Sequence, residues 1–488
     1  MTLGKDFGKA LINKKRKQQS EPVESPLELQ SNTKENELDD FLAQASLDGT
    51  NFESEKLHVK FISTTTIKKK KYNILTAEEE AALMKKFEAL QIKLKLPRRP
   101  KWHSEMAKEE LHALEDQEFL NWRSNLAEIE ETQDLLMTPF EKNLYVWKEL
   151  WRVVEKGDLV VQIVDARNPL LFRCTDLETY VLEVDPRKKN LLLVNKADLL
   201  SKKQREIWKS YFNAHKIDFI FFSAKGCEEE EDVLNVDALV IELSRRCPNP
   251  LHPNPKNPNM KTVSFCGHPN VGKSSTINAI VGTKKVTVSS TPGKTKHFQT
   301  LMISPELCLC DCPGLVFPSF ASTRADMVVN GILPIDNLTD FLSPVEIIVK
   351  RIPPAHLSKI YGLNVPKVPD SDDFLSVLAK ARGFMRSGFG SPDTSRSARI
   401  VLKDYVDGKL VYAIPPPTYK DLNFNIYDES GRVFDKETLA DQVDTEFFTP
   451  TDSVKAKTIG KSADDDYTGQ TSTAHKNSKK HYKGKKRK

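Results

Sequence analysis

The segment Gly267-His268-Pro269-Asn270-Val271-Gly272-Lys273-Ser274 constrains the fold more than any other stretch of this chain. It has the phosphate-loop pattern, and it joins an apolar run, Thr262–Cys266, to a helical segment, Ser275–Val281. Its glycines let the backbone wrap a phosphate while N–H groups converge at a helix N-terminus. Lys273 adds a point charge for the β- and γ-phosphates, and Ser274 offers a hydroxyl to Mg²⁺. Asn270, Val271 and Ser275 complete the expected phosphate-binding set. A strand feeding such a loop belongs to a parallel sheet covered by helices, so the motif predicts an α/β domain.

The surrounding chain has the matching texture. Leu159–Val164, Leu191–Val194, Phe219–Phe222 and Leu307–Cys310 are further short apolar runs, with helical segments between several of them. We expect this domain over 158–330, interrupted by a stiff proline-rich joint at 248–258. Upstream, 1–70 reads as a mostly disordered arm that is polar and basic, and 71–157 as a helical region. There Thr76–Glu79 is a capping box that opens one helix, and Pro97-Arg98-Arg99-Pro100 breaks it. A second helical block runs to about Glu131. A third spans Pro139–Lys156, where Phe140, Leu144, Trp147, Leu150 and Trp151 are expected to pack on a neighbouring domain. Downstream, 331–417 reads as a small, mainly helical domain with a helical patch near Phe374–Phe384. The tail, 418–488, is polar to strongly basic and reads as disordered.

With 39% apolar and 29% charged residues the chain can build a large core. It has no run of about 20 apolar residues, so no membrane-spanning helix is expected. Residues 1–20 lack the apolar stretch of a secretory signal. Seven cysteines in 488 residues make no disulfide framework, which places the chain in a reducing compartment. The net charge is only +5, from 73 basic and 68 acidic residues, but it is unevenly placed. Residues 476–488 carry eight basic side chains and no acid, and a second basic cluster runs from Lys5 to Lys17. Such arms meet polyanions, here nucleic acid or a ribosome, or serve as nuclear import signals.

The other motifs extend the nucleotide site. Asp311-Cys312-Pro313-Gly314 closes an apolar run, where Asp311 can hold a water of the Mg²⁺ shell and the Gly314 amide can reach a γ-phosphate. Between it and the phosphate loop, Thr295 is the candidate for a second Mg²⁺ ligand that joins only when γ-phosphate is present, with Thr291 as the alternative. Lys273, Thr295 and Gly314 are therefore the catalytic candidates. Asn195-Lys196-Ala197-Asp198 follows one apolar run, and Asp198 can accept two N–H donors that guanine has and adenine lacks. Ser223-Ala224-Lys225 follows another. The Ala224 amide can meet guanine O6, and Ser223 can hold Asp198. Together these parts specify GTP. The base-reading motifs precede the phosphate loop, the reverse of the usual order. Strand C-termini converge by sheet geometry and not by chain order, so a circular permutation keeps the site. The proline joint would link the old ends. Whatever follows Gly314 is then tied directly to the part that senses γ-phosphate.

This arrangement resembles the circularly permuted GTPases of the YlqF/YawG group, and Asp165-Ala166-Arg167 looks like that group's Asp-Ala-Arg signature. Residues 3–15, Pro97–Trp102, Thr138–Trp151 and Leu170–Glu178 resemble one branch, the eukaryotic cytoplasmic large-subunit GTPases. The resemblance implies a Ras-like GTPase core and GTP hydrolysis with Mg²⁺. It implies action on the large ribosomal subunit late in its maturation, linked to release of a nuclear export adapter in the cytoplasm, with nuclear passage allowed.

Leu315 stands where Ras-like enzymes place a water-orienting glutamine, an apolar residue the permuted group shares. Slow intrinsic turnover follows, with the missing group supplied by a partner or an ion. Asn270 is placed either to help hold K⁺ between the phosphates or to shape the loop. Cys308, Cys310 and Cys312 read as core, and His297 as structural. Arg167 is either functional or an ion-pair partner of Asp165. Arg382, Arg386, Arg396 and Arg399 either contact ribosomal RNA or form a solvated face. Two other functions compete: a nucleolar permuted GTPase of the nucleostemin type, and a ribosome-binding scaffold with GTP as a structural ligand. The acting unit is expected to be a monomer.

Overall fold

The computed structural model describes residues 94–103, 105–133, 137–226, 232–251, 257–282, 299–319, 323–336, 338–365, 370–386 and 390–419, with 74, 79, 421, 424 and 425. The capping box at Thr76, Thr291, Thr295, His297 and both basic ends lie outside the described residues.

Helices α1 (Lys108–Gln133) and α2 (Leu144–Lys156) come first. The α/β part follows as β1 (Leu159–Asp165), α3 (Pro169–Phe172), α4 (Thr175–Val184), β2 (Lys189–Asn195), a 3-10 turn (Ala197–Leu199), α5 (Lys202–Ala214), β3 (Phe219–Phe221) and α6 (Val236–Arg246). It continues with β4 (Lys261–Cys266), α7 (Lys273–Val281), β5 (Gln299–Met302), β6 (Leu307–Asp311) and α8 (Arg324–Val329). Helices α9 (Leu342–Arg351), α10 (Pro354–Tyr361), α11 (Ser371–Ala381) and α12 (Thr394–Asp407) complete the described chain.

The six strands form one sheet in the order β3-β2-β1-β4-β6-β5. All pairs are parallel except β5 with β6. Strands β1 and β6 are buried along their whole length, as expected of parallel strands covered on both faces. The polar Gln162 of β1 is tolerated because its amide exchanges two hydrogen bonds with the backbone of Cys174. Strand β5 goes beyond the strands that the apolar runs mark. It is a short antiparallel edge, three of its four residues exposed, without the apolar run that marks the other strands.

The chain runs outward from β1 through β2 to β3, then crosses back to place β4 on the other side of β1. The crevice for a ligand lies where the order reverses, beyond the C-termini of β1 and β4. Asp158, just ahead of β1, braces the crossing. Its carboxylate accepts from the amide of Leu251 (2.9 Å), within the proline-rich joint, and from that of Thr262 (2.7 Å), in β4 just after it.

Helix α2 starts later than the sequence suggests, at Leu144 instead of Pro139. Asn143 caps it by accepting the Tyr145 amide at 2.9 Å. Residues 138–141 run alongside the chain after β6: Thr138 N–H donates to Ser319 O (2.9 Å) and Glu141 N–H to Val316 O (3.0 Å). Phe140 therefore lies outside the helix, yet it joins Trp122, Trp147, Trp151, Leu315 and Phe317 in one buried cluster. Each buried indole N–H there has a backbone acceptor: Lys95 for Trp122, Glu141 for Trp147 and Pro97 for Trp151. The Pro97–Trp102 segment is clamped by Arg98 on Asp176 and Glu183 and by Arg99 on Glu115 and Glu155. A second apolar core runs from the sheet into α8–α12. Cys308, Cys310 and Cys312 are buried.

Candidate nucleotide site

The turn after β4 is shaped for a phosphate. Gly267 has φ 144°, and a Cβ there would stand 2.5 Å from the carbonyl oxygen of Ile163. Asn270 takes the left-handed region at φ 60°, and Gly272 follows at φ 97° as the cap of α7. The loop amides are thereby carried to the N-terminus of α7, with Ser274 and Ser275 in its first turn. Lys273 is buried, and its ammonium donates to the carbonyls of Gly267 (2.9 Å) and His268 (2.6 Å). Burial pushes its pKa down, and Asp311 pulls it back up.

Asp311 ends β6 beside Phe265 of β4. It is buried, and neither carboxylate oxygen has a hydrogen-bond partner. Burial raises its pKa to about 6 against the pull of Lys273. A carboxylate so placed suits a cation. Gly314 closes the cradle: a Cβ on it would lie 3.2 Å from Pro269 Cα and 3.3 Å from Lys273 Nζ. The next residue, Leu315, donates its amide to Gly267 O at 3.2 Å and buries its side chain in the aromatic cluster.

The base-reading residues stand after β2 and β3. Asn195 Nδ2 donates to Val271 O (2.8 Å), and its Oδ1 accepts the Ala224 amide (3.3 Å). Lys196 sits at φ 60° and pairs with Asp165 Oδ2 at 2.8 Å. Asp198 lies half-buried in the 3-10 turn, and Lys225 is exposed. The hydrogen bond expected from Ser223 to Asp198 is not formed. Ser223 Oγ is buried and without a partner. Asn270 Nδ2 donates to Gly331 O (2.8 Å), tying the phosphate loop to the chain after α8.

Sequence reasoning missed three residues around this site. His268, itself the second residue of the phosphate loop, sets its ring edge-on between Phe172 (5.6 Å) and Phe317 (5.0 Å). Thr138 and Glu141 hold the chain that follows Gly314. No local pattern announces either arrangement, because each joins segments far apart in the chain. The ion pair of Arg167 with Asp165 is present, and Arg167 also reaches α12. Arg382, Arg386, Arg396 and Arg399 are exposed around α11 and α12, with Arg396 over the Phe384 ring at 4.3 Å. Among the described residues no helix is long and apolar enough to cross a membrane.

Along the chain the base-reading half of the sheet precedes the phosphate-binding half, yet both halves open onto one crevice. That order defines the class: a circularly permuted P-loop GTPase. Residues 262–350 match the family described as 50S ribosome-binding GTPase. Large subunit GTPase 1 of Schizosaccharomyces pombe is 44% identical over 456 residues, covering 86% of this chain and 72% of that protein. The Saccharomyces cerevisiae protein of the same name is 45% identical over 81% of this chain and 70% of its own. The Homo sapiens homolog is 38% identical over 86% of this chain and 80% of its own. The chain belongs to the Large subunit GTPase 1 family, and its activity is GTP hydrolysis. It is also similar to GNP-bound YlqF from T. maritima, at 21% identity over 54% of this chain and 94% of that one, with a TM-score of 0.38.

Proposed function

We propose that this GTPase acts late in maturation of the large ribosomal subunit, in the cytoplasm, and couples hydrolysis to release of an export adapter. The names of its relatives support the ribosomal part, since the S. pombe, S. cerevisiae and human proteins are all called large-subunit GTPases. The observation that carries the mechanism is the burial of Leu315. The residue after Gly314 is turned into the aromatic cluster, so no side chain at that position orients the attacking water. Hydrolysis by the free protein is therefore slow, and the large subunit supplies or orders the missing group.

Mg²⁺ fits the site. Asp311 offers two unpartnered oxygens, Ser274 stands at the start of α7, and Thr295 would join them. Bound there, the ion would neutralise charge on the β- and γ-phosphates. The chain's own residues do the rest. Lys273 exchanges its two loop carbonyls for phosphate oxygens, the loop amides orient the phosphates, and Asp198 selects guanine. Asn270 gives its Nδ2 to Gly331 O, so a K⁺ role would fall to its Oδ1, and replacing K⁺ by Na⁺ in the assay tests it. The basic tail adds salt-dependent affinity for ribosomal RNA. We take the acting unit to be a monomer.

Multiple-turnover phosphate release with and without purified large subunits is the test. Acceleration by subunits is expected. Equal rates would overturn the reading, and a Lys273→Ala protein that still sustained maturation would point instead to a scaffold. Imaging of a tagged chain at steady state separates the cytoplasmic reading from a nucleolar one.

A further inference from the structure

Lys196 carries a Cβ yet stands in the left-handed region, φ 60° and ψ 32°. That conformation is unfavourable for such a residue and needs external support. It sets the direction of the turn that presents Asp198. The support is Asp165, the last residue of β1 and the register partner of Asn195, whose Oδ2 pairs with Lys196 Nζ at 2.8 Å. Asp165 also binds a second cation. Its Oδ1 accepts from the Arg167 amide and Nε, both at 3.0 Å, and its Oδ2 from Nη2 at 2.7 Å. Arg167 then extends to the end of α12, donating Nη1 to Tyr405 O (2.5 Å) and Nη2 to Val406 O (3.2 Å). A cation is favourable at a helix C-terminus. The same helix end touches the base-reading turn a second time. Gly408, at φ 89°, lies where a Cβ would be 3.0 Å from the side chain of Leu199, the neighbour of Asp198.

Two cations thus share one buried carboxylate, and they are not equivalent. The Arg167 side chain is 6% exposed and held on three sides, whereas that of Lys196 is 22% exposed and has a way out to solvent. Removing the charge of Asp165 leaves both cations facing each other, and Lys196 is the one free to leave. We propose that Asp165 and Arg167 are positioning residues for guanine recognition. They hold Lys196, and through it the turn bearing Asp198, against the end of α12, so that the C-terminal helical segment forms part of the guanine site. This inference rests on the reading of Asn195–Asp198 as the base-reading turn. A partner that shifts α12 would then change nucleotide affinity, and nucleotide would change affinity for that partner by the same factor.

The test is a double-mutant cycle in the full chain, read by titration with fluorescent GDP and by thermal melting. Asp165→Asn and Lys196→Met should each weaken GDP about tenfold, and the double variant should bind within about twofold of Lys196→Met, because Asp165 acts through Lys196. Losses that multiply would overturn the proposal, since a merely structural role for Asp165 adds to any other damage. Should Asp165→Asn fail to fold, Arg167→Lys serves. It keeps the charge but cannot span the carboxylate and both carbonyls. It should weaken GDP several-fold when Lys196 is present and leave it unchanged in the Lys196→Met background. The same loss in both backgrounds would overturn the proposal. Asp198→Asn is the control. Unchanged affinity there would reject the base-reading turn itself, whereas weakened affinity with a multiplying cycle would reject only the positioning role.

Discussion

Asn195 Nδ2 donates to the carbonyl of Val271 at 2.8 Å, so the residue that opens the base-reading turn also braces the phosphate loop. Its other amide atom receives the Ala224 N–H, and a Cβ on Gly272 would overlap Nδ2. Three motifs meet on one buried side chain. Asn195→Ala leaves the Val271 carbonyl buried without this partner, at a cost of roughly 1–3 kcal/mol. GDP and GTP should both bind about tenfold or more weakly, in a titration that also records the melting temperature. Equal affinity for wild type and variant would show that the phosphate loop holds its shape without this brace.

His268 makes the free protein sensitive to acid. Burial pushes its pKa down to about 3, with the Lys273 charge adding to the effect. The fold therefore favours neutral imidazole. The corresponding stability is present above the unfolded value near 6.5 and is lost as pH falls towards 3. At pH 5 the loss is roughly 2 kcal/mol, from about 1.5 units below that unfolded value. His268→Leu should abolish this part of the pH dependence. Urea unfolding at pH 7 and pH 5 measures it, and an identical pH dependence in the variant would place the titrating group elsewhere.

Leu315→Gln should not create a faster enzyme. The side chain at this position points into the cluster of Trp147, Trp151 and Phe317, not towards the phosphates. The substitution buries an amide among aromatic rings and should destabilise the fold by roughly 1–3 kcal/mol. Turnover in the absence of subunits should stay at or below the wild-type rate. An increase would mean that this residue can face the nucleotide.

Thr138 holds the chain that leaves the phosphate-sensing motif. Its Oγ1 donates to Ser319 O at 2.7 Å and accepts the Ser319 amide at 3.2 Å. Thr138→Val removes both bonds at a cost of about 1 kcal/mol. Amide exchange at Leu315 and Ser319 should quicken, while exchange within β1 and β2 stays as it was. No change at Ser319 would show that the backbone pairing alone sets the order of this segment.

Much of the architecture was legible in the sequence because it is local. The runs at Leu159, Leu191, Phe219, Thr262 and Leu307 are short, apolar and bounded by polar turns, and each became a parallel strand. The phosphate loop was legible for the same reason, since its spacing and its flanking strand and helix lie in one continuous stretch. Strand β5 was not legible, because an exposed edge needs no apolar run. The start of α2 is not legible in the sequence, because the tertiary partner of Thr138 and Glu141 lies beyond β6 and competes with helix for their backbone groups. The segment after Gly314 meets the N-terminal cluster first. It reaches α8 and the C-terminal helices only afterwards.

The sequence by itself determined the chemistry on offer: a phosphate loop, a carboxylate at the end of a buried strand, a guanine-type turn, and their permuted order. Those follow from residue types and spacings that act over a few positions. Only the tertiary structure decided how the parts are held. Asp165 could have paired with Arg167 alone, but parallel pairing of β1 with β2 sets Asp165 beside Asn195 and brings Lys196 within reach. Arg167 could have ended in solvent, but α12 arrives with its C-terminal carbonyls and receives it. A buried charge must find its partners wherever packing brings them, and packing is a property of the whole chain.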